Sequence, residues 1–269
     1  MDLKGQTALV TGASSGIGVA FARQLAARGA DLVITARRKD NLEALAKELG
    51  DKHGIKVQVV ALDLSEPGSP QTLWDATEGA GTKIDVLVNN AGGGIQQYFV
   101  DTSWERLARQ IQLNVLSLTE LTHKLSRAMK ERGRGWILNV SSIGAYTPTP
   151  SMATYSAGKA YVRDFTEALA FELAGTPVRV CCLCPGGTES EFHVTAGQTL
   201  SKTVRATFMS ADDCAGIGLR ALFGGRRNIV SGLVNALSVF FMRFTPRRLL
   251  IWATAKPLGP PKPSTDPST

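Results

Sequence analysis

Short apolar runs alternate with longer amphipathic segments along most of the chain. The apolar runs predict seven strands, at 7–12, 31–36, 56–62, 84–90, 135–142, 178–184 and 228–232. Hydrophobic residues recur at helical spacing between them, which predicts helices at 18–29, 40–54, 102–133 and 155–175. Strands that are apolar throughout indicate a sheet covered on both faces, and their alternation with helices indicates right-handed βαβ units. The pattern therefore predicts a doubly wound, Rossmann-like α/β domain with a parallel sheet. Ligands of such sheets bind beyond the carboxyl ends of the strands.

The composition is that of a folded domain whose positive charge lies at one end. Of the 269 residues, 43% are hydrophobic and 20% are charged, which argues against a disordered chain. The formal net charge is +7, but the basic and acidic residues of the segment 1–213 balance. Residues 214–265 contain no acid, so the end of the chain carries the whole excess. No nucleic-acid-reading motif accompanies this charge, and we expect no nucleic-acid partner.

The first residues of the chain bear on its cellular location, and its cysteines bear on whether it binds a metal or forms disulfides. The first residues, MDLKGQTALVTG, lack the long apolar segment of a secretory signal, so we expect a cytoplasmic protein. The four cysteines include no C-x-x-C pair, and three of them lie within the predicted strand at 178–184. We therefore expect buried, free thiols and no bound metal.

A glycine-rich turn, Thr11-Gly-Ala-Ser-Ser-Gly-Ile-Gly18, joins the first predicted strand to the first predicted helix. Glycines permit the tight turn, the approach of a pyrophosphate to the backbone and the close packing of the helix on the strand. The free N–H groups at the start of the helix attract phosphates. Glycines also occur in ordinary βα turns, but the position after the first strand favours a dinucleotide site.

Tyr155 and Lys159 are four residues apart on a predicted helix and share one of its faces. An ammonium near a phenol lowers the pKa of the phenol, which can then act as general acid for a carbonyl or as base for an alcohol. Ser142 ends the fifth predicted strand, where its hydroxyl can hydrogen-bond the reacting oxygen. Ser141 competes for that role, and a tyrosine–lysine pair taken alone is usually a surface pair.

Six motifs follow one another in a fixed order along the chain. They are the glycine turn, Asn89-Asn-Ala-Gly92, Asn114 in a helical segment, Ser142, Tyr155-x-x-x-Lys159 and Pro185-Gly186. In order and strand context they resemble the short-chain dehydrogenase/reductase family over roughly residues 5–232. The resemblance implies a catalytic group of Asn114, Ser142, Tyr155 and Lys159, in which Asn114 holds a water linked to the lysine. It also implies that Lys159 binds the nicotinamide ribose and that the protein is a homo-oligomer, a dimer or tetramer.

The residues after the second predicted strand select the cofactor. They read Thr35-Ala-Arg-Arg-Lys39, with no acid to bind the ribose 2′-OH of NAD. A guanidinium suits a 2′-phosphate, so we predict NADP(H), with Arg37 as the main contact and Arg38 as a helper. Motifs and resemblance together predict a cofactor-binding set: Gly12, Ser14, Ser15, Gly16, Ile17, Gly18, Arg37, Arg38, Asp63, Leu64, Asn90, Ala91, Gly92, Tyr155, Lys159, Pro185, Gly186, Thr188 and Ser190. Two positions depart from the family pattern, Ser190 for threonine and Gly158 for serine, and neither belongs to the catalytic group.

The sequence thus predicts an oxidoreductase that transfers a hydride from NADPH to a ketone, with Tyr155 donating the proton. Apolar residues in the segments 93–98 and 189–213 border the expected substrate site, which is consistent with a bulky carbonyl. The resemblance adds lipid-like 3-oxoacyl compounds to the candidates. An NAD-dependent alcohol or steroid dehydrogenase is the alternative enzyme. A membrane-associated binding or signalling protein on the same scaffold is the alternative without catalysis.

A helical extension is predicted at 233–255, after a domain at 1–232. Five large side chains form one apolar stripe at helical spacing: Leu233, Leu237, Phe240, Phe241 and Phe244. Twelve residues of helix span about 18 Å, short of the roughly 30 Å core of a bilayer. Aromatic residues beside arginines suit a peripheral helix on an anionic membrane, and packing on its own domain or on a partner subunit is the equal alternative. The proline-rich residues 256–269 are predicted to be a disordered tail.

Overall fold

The computed structural model describes residues 1–198, 208–258 and 261. Seven parallel strands form one sheet in the order β3-β2-β1-β4-β5-β6-β7. Their bounds are β1 Thr7–Thr11, β2 Asp31–Ala36, β3 Val57–Ala61, β4 Val86–Asn89, β5 Gly135–Val140, β6 Val178–Cys184 and β7 Asn228–Val230. The strand order reverses between β1 and β4, as in a doubly wound sheet. The predicted fold class is confirmed.

Helices connect the strands and cover both faces of the sheet. Their bounds are α1 Gly16–Ala26, α2 Lys39–His53, α3 Ser69–Asp75, α4 Trp104–Ile111, α5 Leu118–Arg132, α6 Ala153–Glu172, α7 Phe192–Thr195, α8 Ala211–Phe223, α9 Leu233–Met242 and α10 Arg247–Leu258. Short 3₁₀ turns occur at Glu78–Ala80, Phe99–Asp101 and Ile143–Tyr146.

Side chains of the strands alternate between two hydrophobic layers, one on each face of the sheet. In β1, Ala8 and Val10 enter the layer that contains Phe21 of α1. Leu9, between them, enters the other layer with Leu121 of α5. Full burial of a leucine or phenylalanine side chain contributes roughly 1.5–3 kcal/mol. Buried polar groups within these layers are paired, as Asn89 Nδ2 of β4 donates to Asn139 Oδ1 of β5 at 2.9 Å.

The long helix predicted at 102–133 is interrupted. A π-helical turn, Gln112–Ser117, separates α4 from α5. Asn114 lies in this turn and is buried. Hydrophobic periodicity does not register the extra residue of a π turn, because the apolar face moves by only one position.

The C-terminal helical extension is also confirmed. It consists of α9 and α10, and α9 lies against β7 and the turn Ile143–Tyr146. α10 runs to Leu258, so the first three residues of the predicted tail are helical. The remainder of that segment, apart from Pro261, lies outside the described residues. In the part of the chain that the structure describes, no helix has the length and apolar character needed to cross a bilayer.

Candidate active site

A cavity of about 710 Å³ lies beyond the carboxyl ends of the strands. Most of the predicted site residues line it: Gly12, Ser14, Ser15, Gly16, Ile17, Arg37, Arg38, Asn90, Ala91, Gly92, Ser142, Tyr155, Lys159, Pro185, Gly186, Thr188 and Ser190. Four predicted residues do not line it: Gly18, Asp63, Leu64 and Asn114. The glycine turn therefore shares one cleft with Ser142, Tyr155 and Lys159.

The glycine turn packs closely against the end of β4. A side chain at Gly12, where φ is +68°, would place its Cβ 2.9 Å from the Cα of Ala91. A side chain at Gly18 would collide with the carbonyl oxygen of Gly12, so Gly18 acts through packing rather than as a lining residue. Ser15 precedes α1 in an extended conformation and does not cap it. The first N–H groups of α1 are thus available to a phosphate.

Hydrogen bonds between Thr11, the last residue of β1, and the segment that begins at Asn90, directly after β4, hold the turn in place. Thr11 Oγ1 accepts hydrogen bonds from the backbone N–H groups of Asn90 at 3.0 Å and Ala91 at 2.9 Å. Asn90 Nδ2 donates in return to the carbonyl oxygens of Thr11 at 3.0 Å and Gly12 at 3.2 Å. Thr11 is not among the predicted site residues. The signal that could have found it is a threonine in the last position of β1, directly before the glycines.

Ser142 and Tyr155 lie together in the cleft. A Cβ at Gly144 would lie 3.4 Å from Ser142 Oγ and 3.7 Å from Tyr155 Cε1, and Ser142 Oγ accepts a hydrogen bond from the N–H of Gly144 at 3.0 Å. Ser141 is buried, and its Oγ donates to the carbonyl oxygen of Lys159 at 2.6 Å. Ser141 therefore holds α6 against the end of β5, whereas Ser142 faces the tyrosine.

Burial governs the protonation of the tyrosine and the lysine. It raises the pKa of Tyr155 to about 12, against a smaller lowering by the hydrogen bond with Ser142. It lowers the pKa of Lys159 to about 8. Lys159 Nζ lies 5.8 Å from the centre of the Tyr155 ring and donates to the carbonyl oxygen of Val140 at 2.9 Å. The sequence-based prediction of a lowered Tyr155 pKa is wrong for this structure, because desolvation has the largest effect on that pKa and the charge of Lys159 does not lower it.

Asn114 acts on the backbone beside Lys159. Its Oδ1 accepts from the N–H of Gly93 at 2.9 Å, and its Nδ2 donates to the carbonyl oxygen of Gly93 at 2.8 Å. A Cβ at Gly92 would lie 3.2 Å from Asn114 Oδ1 and 3.3 Å from Lys159 Nζ, so both side chains border that glycine. The π-helical turn thus places Asn114 next to the lysine, and its role in holding a water stays a prediction.

Two arginines border the glycine turn. Arg38 donates to Ser14, with Nε 3.3 Å from Oγ and Nη2 3.3 Å from the carbonyl oxygen. Arg38 Nη2 also lies 2.8 Å from Glu191 Oε2. Arg37 is exposed and lines the same cavity. Glu191, which sequence analysis did not single out, therefore ties the segment after β6 to the glycine turn.

Asp63 and Leu64, predicted to bind the cofactor, do not line the cavity. Asp63 Oδ1 accepts from Ser65, and Oδ2 accepts from Arg109 Nη2 at 2.9 Å. Partial burial acts to raise the pKa of Asp63, but the hydrogen bonds from Ser65 and the charges of Arg37 and Arg109 hold it below its ordinary value. Leu64 is buried. The cofactor contacts of both residues stay predictions, and Arg109 already engages the carboxylate.

Apolar side chains surround the tyrosine. The ring centre of Phe192 lies 5.2 Å from that of Tyr155. A Cβ at Gly94 would lie 2.7 Å from Phe192 Cζ and 3.1 Å from Met152 Cε, so the segment after β4 meets the segment after β6 here. Residues 199–207, part of the predicted substrate cover, lie outside the described residues.

The C-terminal helices complete the lining of the cleft. Four of their side chains contribute: Asn235 and Met242 of α9, and Ala253 and Thr254 of α10. A side chain at Gly186 would collide with Asn235, and Thr254 Oγ1 donates to the carbonyl oxygen of Pro148 at 2.9 Å. The apolar stripe predicted from the sequence lies on the outward side of this helix. The inward residues, which also repeat at helical spacing, were not predicted.

The residues of the cleft fit a nicotinamide dinucleotide. The glycine turn offers a backbone cradle that a Cβ at Gly12 would fill, and α1 presents its N-terminal amides to the same space. Two arginines stand beside that cradle. The four cysteines are buried free thiols, and no His, Cys, Asp or Glu cluster within the described ranges could hold a metal ion.

The short chain dehydrogenase family model matches residues 6–201 of the chain. The protein belongs to the short-chain dehydrogenase family. A 7beta-hydroxysteroid dehydrogenase of Collinsella aerofaciens is 32% identical over 239 residues, which make up 87% of this chain and 89% of that protein. The resemblance inferred from the six motifs is confirmed, and this short-chain dehydrogenase is an oxidoreductase.

Solved structures share its fold. A 7beta-hydroxysteroid dehydrogenase structure matches with a TM-score of 0.87 at 28% identity, over 94% of this chain and 99% of that chain. A short-chain dehydrogenase from Sphingobium yanoikuyae in complex with NADPH matches at 0.79 and 30% identity, over 89% and 94%. One from Burkholderia phymatum in complex with NAD matches at 0.81 and 25%, over 97% and 99%. Since similar proteins hold either cofactor, similarity alone does not choose between NAD and NADP.

Proposed function

We propose that the protein reduces a bulky, apolar ketone to a secondary alcohol with NADPH. The observation that carries the proposal is a half-buried tyrosine, beside a serine and close to a lysine, in the same cleft as two arginines. These groups match the three needs of the reaction: a proton for the oxygen, a charge beside the proton donor, and a phosphate-binding group for the cofactor.

Arg37 and Arg38 are the residues that would hold the 2′-phosphate of NADPH. Both line the cleft beside the glycine turn. A planar guanidinium binds phosphate through paired hydrogen bonds. The residues at the end of β2 include no acid before Asp40, whereas a carboxylate there would bind the ribose 2′-OH of NAD. When bound, NADPH supplies the hydride that reaches the carbonyl carbon.

Tyr155 supplies the proton, and Ser142 orients the oxygen. With a pKa of about 12, the phenol is protonated at neutral pH and can donate to an oxygen that gains negative charge. Ser142 stands beside it and offers a second hydrogen bond to the same oxygen. Lys159, with a pKa of about 8, is mainly cationic at pH 7 and stabilises the remaining phenolate until solvent returns the proton.

The walls of the cleft support a large apolar substrate. Phe192 packs beside Tyr155, and Met152 lies next to Phe192 at Gly94. Met242 adds an apolar group from α9. The similarity to a 7beta-hydroxysteroid dehydrogenase supports the same size class, since a steroid is bulky and largely apolar.

Parallel titrations of NADPH and NADH, followed by fluorescence, test the cofactor without a substrate. We expect NADPH to bind more tightly by about tenfold or more, and Arg37→Ala and Arg38→Ala to remove most of that preference. Arg127→Ala, which removes an exposed arginine of α5, is the control and leaves the preference unchanged. Tighter binding of NADH would overturn the assignment of NADPH. Failure to bind either cofactor would overturn the proposed enzyme.

NAD-dependent oxidation of an alcohol is the second candidate, and Glu191 favours it. Its carboxylate lies 2.8 Å from Arg38 Nη2 and engages the guanidinium that a 2′-phosphate needs. If NADPH is the cofactor, Glu191→Gln frees Arg38 and strengthens NADPH binding several-fold, with NADH binding unchanged. Unchanged NADPH binding together with weaker NADH binding would favour the NAD-dependent enzyme.

A further inference from the structure

The outward side of the C-terminal helices is an exposed apolar surface, called here the aromatic face. Its side chains are 49–77% exposed: Leu233, Val234, Leu237, Phe240, Phe241, Phe244 and Leu249. The ring centre of Phe240 lies 5.6 Å from that of Phe241 and 5.5 Å from that of Phe244. Contiguous apolar patches of this kind mark contact sites, because burial of each phenylalanine contributes roughly 1.5–3 kcal/mol.

The rest of the chain already occupies the opposite side of α9. Val239 is 5% exposed, and Asn235 and Met242 line the cleft. Packing on its own domain, one of the alternatives that the sequence left open, therefore accounts for the inward side of the helix only. The aromatic face needs a different partner.

Two candidate partners for the aromatic face remain, a second copy of the chain and an anionic membrane. The charge of the neighbouring residues distinguishes between them. Arg243, Arg247 and Arg248 are exposed and lie among or directly after the residues of the aromatic face. Residues 214–258 contain no acid. In a two-fold dimer through this face, the arginines of both copies would approach one another without carboxylates from this part of the chain to neutralise them. A surface of anionic lipid headgroups would neutralise all three.

We propose that α9 and the start of α10 seat the protein on an anionic lipid surface. The aromatic face enters the boundary between headgroups and acyl chains, where amphipathic helices of this kind lie. The three arginines bind the headgroups, and each basic residue near such a surface contributes roughly a fivefold gain in affinity. This proposal does not depend on the cofactor or the substrate.

Co-sedimentation of the full chain with vesicles tests it. Vesicles of phosphatidylcholine alone are compared with vesicles that also contain phosphatidylserine, at low and at high salt. We expect the protein to sediment with the anionic vesicles. Its affinity for neutral vesicles should be lower by about tenfold or more. High salt reduces the preference, because it screens exposed charges.

Matched variants identify the surface. Phe240→Ser with Phe241→Ser removes two rings from the aromatic face, and Phe99→Ser with Val100→Ser removes two exposed apolar side chains elsewhere. We expect the first pair to weaken binding about tenfold or more and the second to leave it unchanged. Circular dichroism and cofactor binding check that each variant is folded.

A second set of variants tests the charge. Arg243→Gln, Arg247→Gln and Arg248→Gln together remove the three arginines. A control variant of equal net charge replaces three exposed basic residues outside the C-terminal helices with glutamine: Lys52, Arg127 and Lys130. We expect the arginine variant to lose its preference for anionic vesicles and the control to retain it.

Three outcomes would overturn the proposal. The wild-type chain does not sediment with anionic vesicles, or the aromatic-face pair and its control bind equally. Alternatively, the change at Phe240 and Phe241 converts a dimer to a monomer in light scattering while vesicle binding stays unchanged, which assigns the face to a second copy.

Discussion

The glycine turn and the C-terminal helices border the same cleft, but different interactions hold them. Backbone and side-chain hydrogen bonds of Thr11 and Asn90 hold the turn, and Gly12 and Gly18 leave no room for a Cβ. The C-terminal helices instead rest mainly on side-chain packing, at Val239 and at Asn235 against the turn after β6, with one hydrogen bond from Thr254 to the carbonyl oxygen of Pro148.

In the proposed enzyme, this difference matches what each side binds. The phosphates of a dinucleotide have a constant geometry. The glycine turn that would bind them therefore needs a rigidly fixed backbone. Apolar walls bind by size and shape, and side chains of similar volume can replace one another there at low cost. The substrate side can therefore change without disturbing the cofactor side, and the following variants test that separation.

The largest effect is expected at Tyr155, where both sides meet. Tyr155→Phe removes the proton donor and should lower kcat by about 10²–10⁴-fold, with NADPH binding nearly unchanged. Tyr161→Phe is the matched control on α6, because its hydroxyl contacts only Thr119 among the pairs described for it. Ketone-dependent oxidation of NADPH measures the rate. Full activity of Tyr155→Phe would remove the tyrosine from the mechanism.

A strong effect on folding is expected in the glycine turn. Gly18→Ala forces a Cβ against the carbonyl oxygen of Gly12, which should cost about 1–3 kcal/mol or more of unfolding free energy and weaken cofactor binding. Gly50→Ala on α2 is the control, since its Cβ would meet nothing closer than 3.7 Å and should stabilise by roughly 0.5–1 kcal/mol. Urea denaturation measures both. Equal stability of the two variants would show that the turn is not tightly specified.

The pH dependence of stability reports the buried lysine. Its pKa is lowered from 10.5 to about 8 in the folded chain, so below pH 8 the folded state bears the cost of burying an ammonium. Between pH 8 and 10.5 the folded state has lost the proton and the unfolded state retains it, so stability rises with pH.

Lys159→Met removes this dependence. The free energy of unfolding of the wild type, relative to the variant, should rise by about 3 kcal/mol between pH 7 and 10.5. Denaturation midpoints of both proteins across this range measure the difference. A constant difference would mean that Lys159 keeps an ordinary pKa.

The smallest effect is expected in α9. Met242→Ala removes an apolar contact from the substrate side of the cleft and should raise KM for a bulky ketone by about fivefold, with NADPH affinity unchanged. Ser238→Ala, on the exposed side of the same helix, is the control and leaves KM unchanged. A parallel loss of NADPH affinity in Met242→Ala would break the separation between the two sides.

The parts of the site formed by residues close together in the sequence were predictable. Tyr155 and Lys159 share a helix face at any tertiary arrangement, and the glycine turn follows its strand directly. The parallel sheet was predictable because strands buried on both faces must be apolar at consecutive positions.

The rest depends on contacts between distant segments. The ion pair of Arg38 with Glu191 joins residues far apart in the chain, and neither residue type signals the other. Periodicity located the outward stripe of α9 but could not show that Asn235 and Met242 face the cleft. The direction of the Tyr155 pKa was mispredicted because the lysine is visible in the sequence, whereas the degree of desolvation is not.

α9 is a partition only one helix thick, roughly 10 Å, between the cleft and the aromatic face. Two ligands that bind on opposite sides of such a partition tighten each other's binding whenever both favour the same position of the helix. The coupling is reciprocal: if a lipid surface tightens binding in the cleft by some factor, the occupant of the cleft tightens attachment to that surface by the same factor. On the proposed attachment, a lipid surface bound to one side of α9 would act as an allosteric effector of the cleft on its other side.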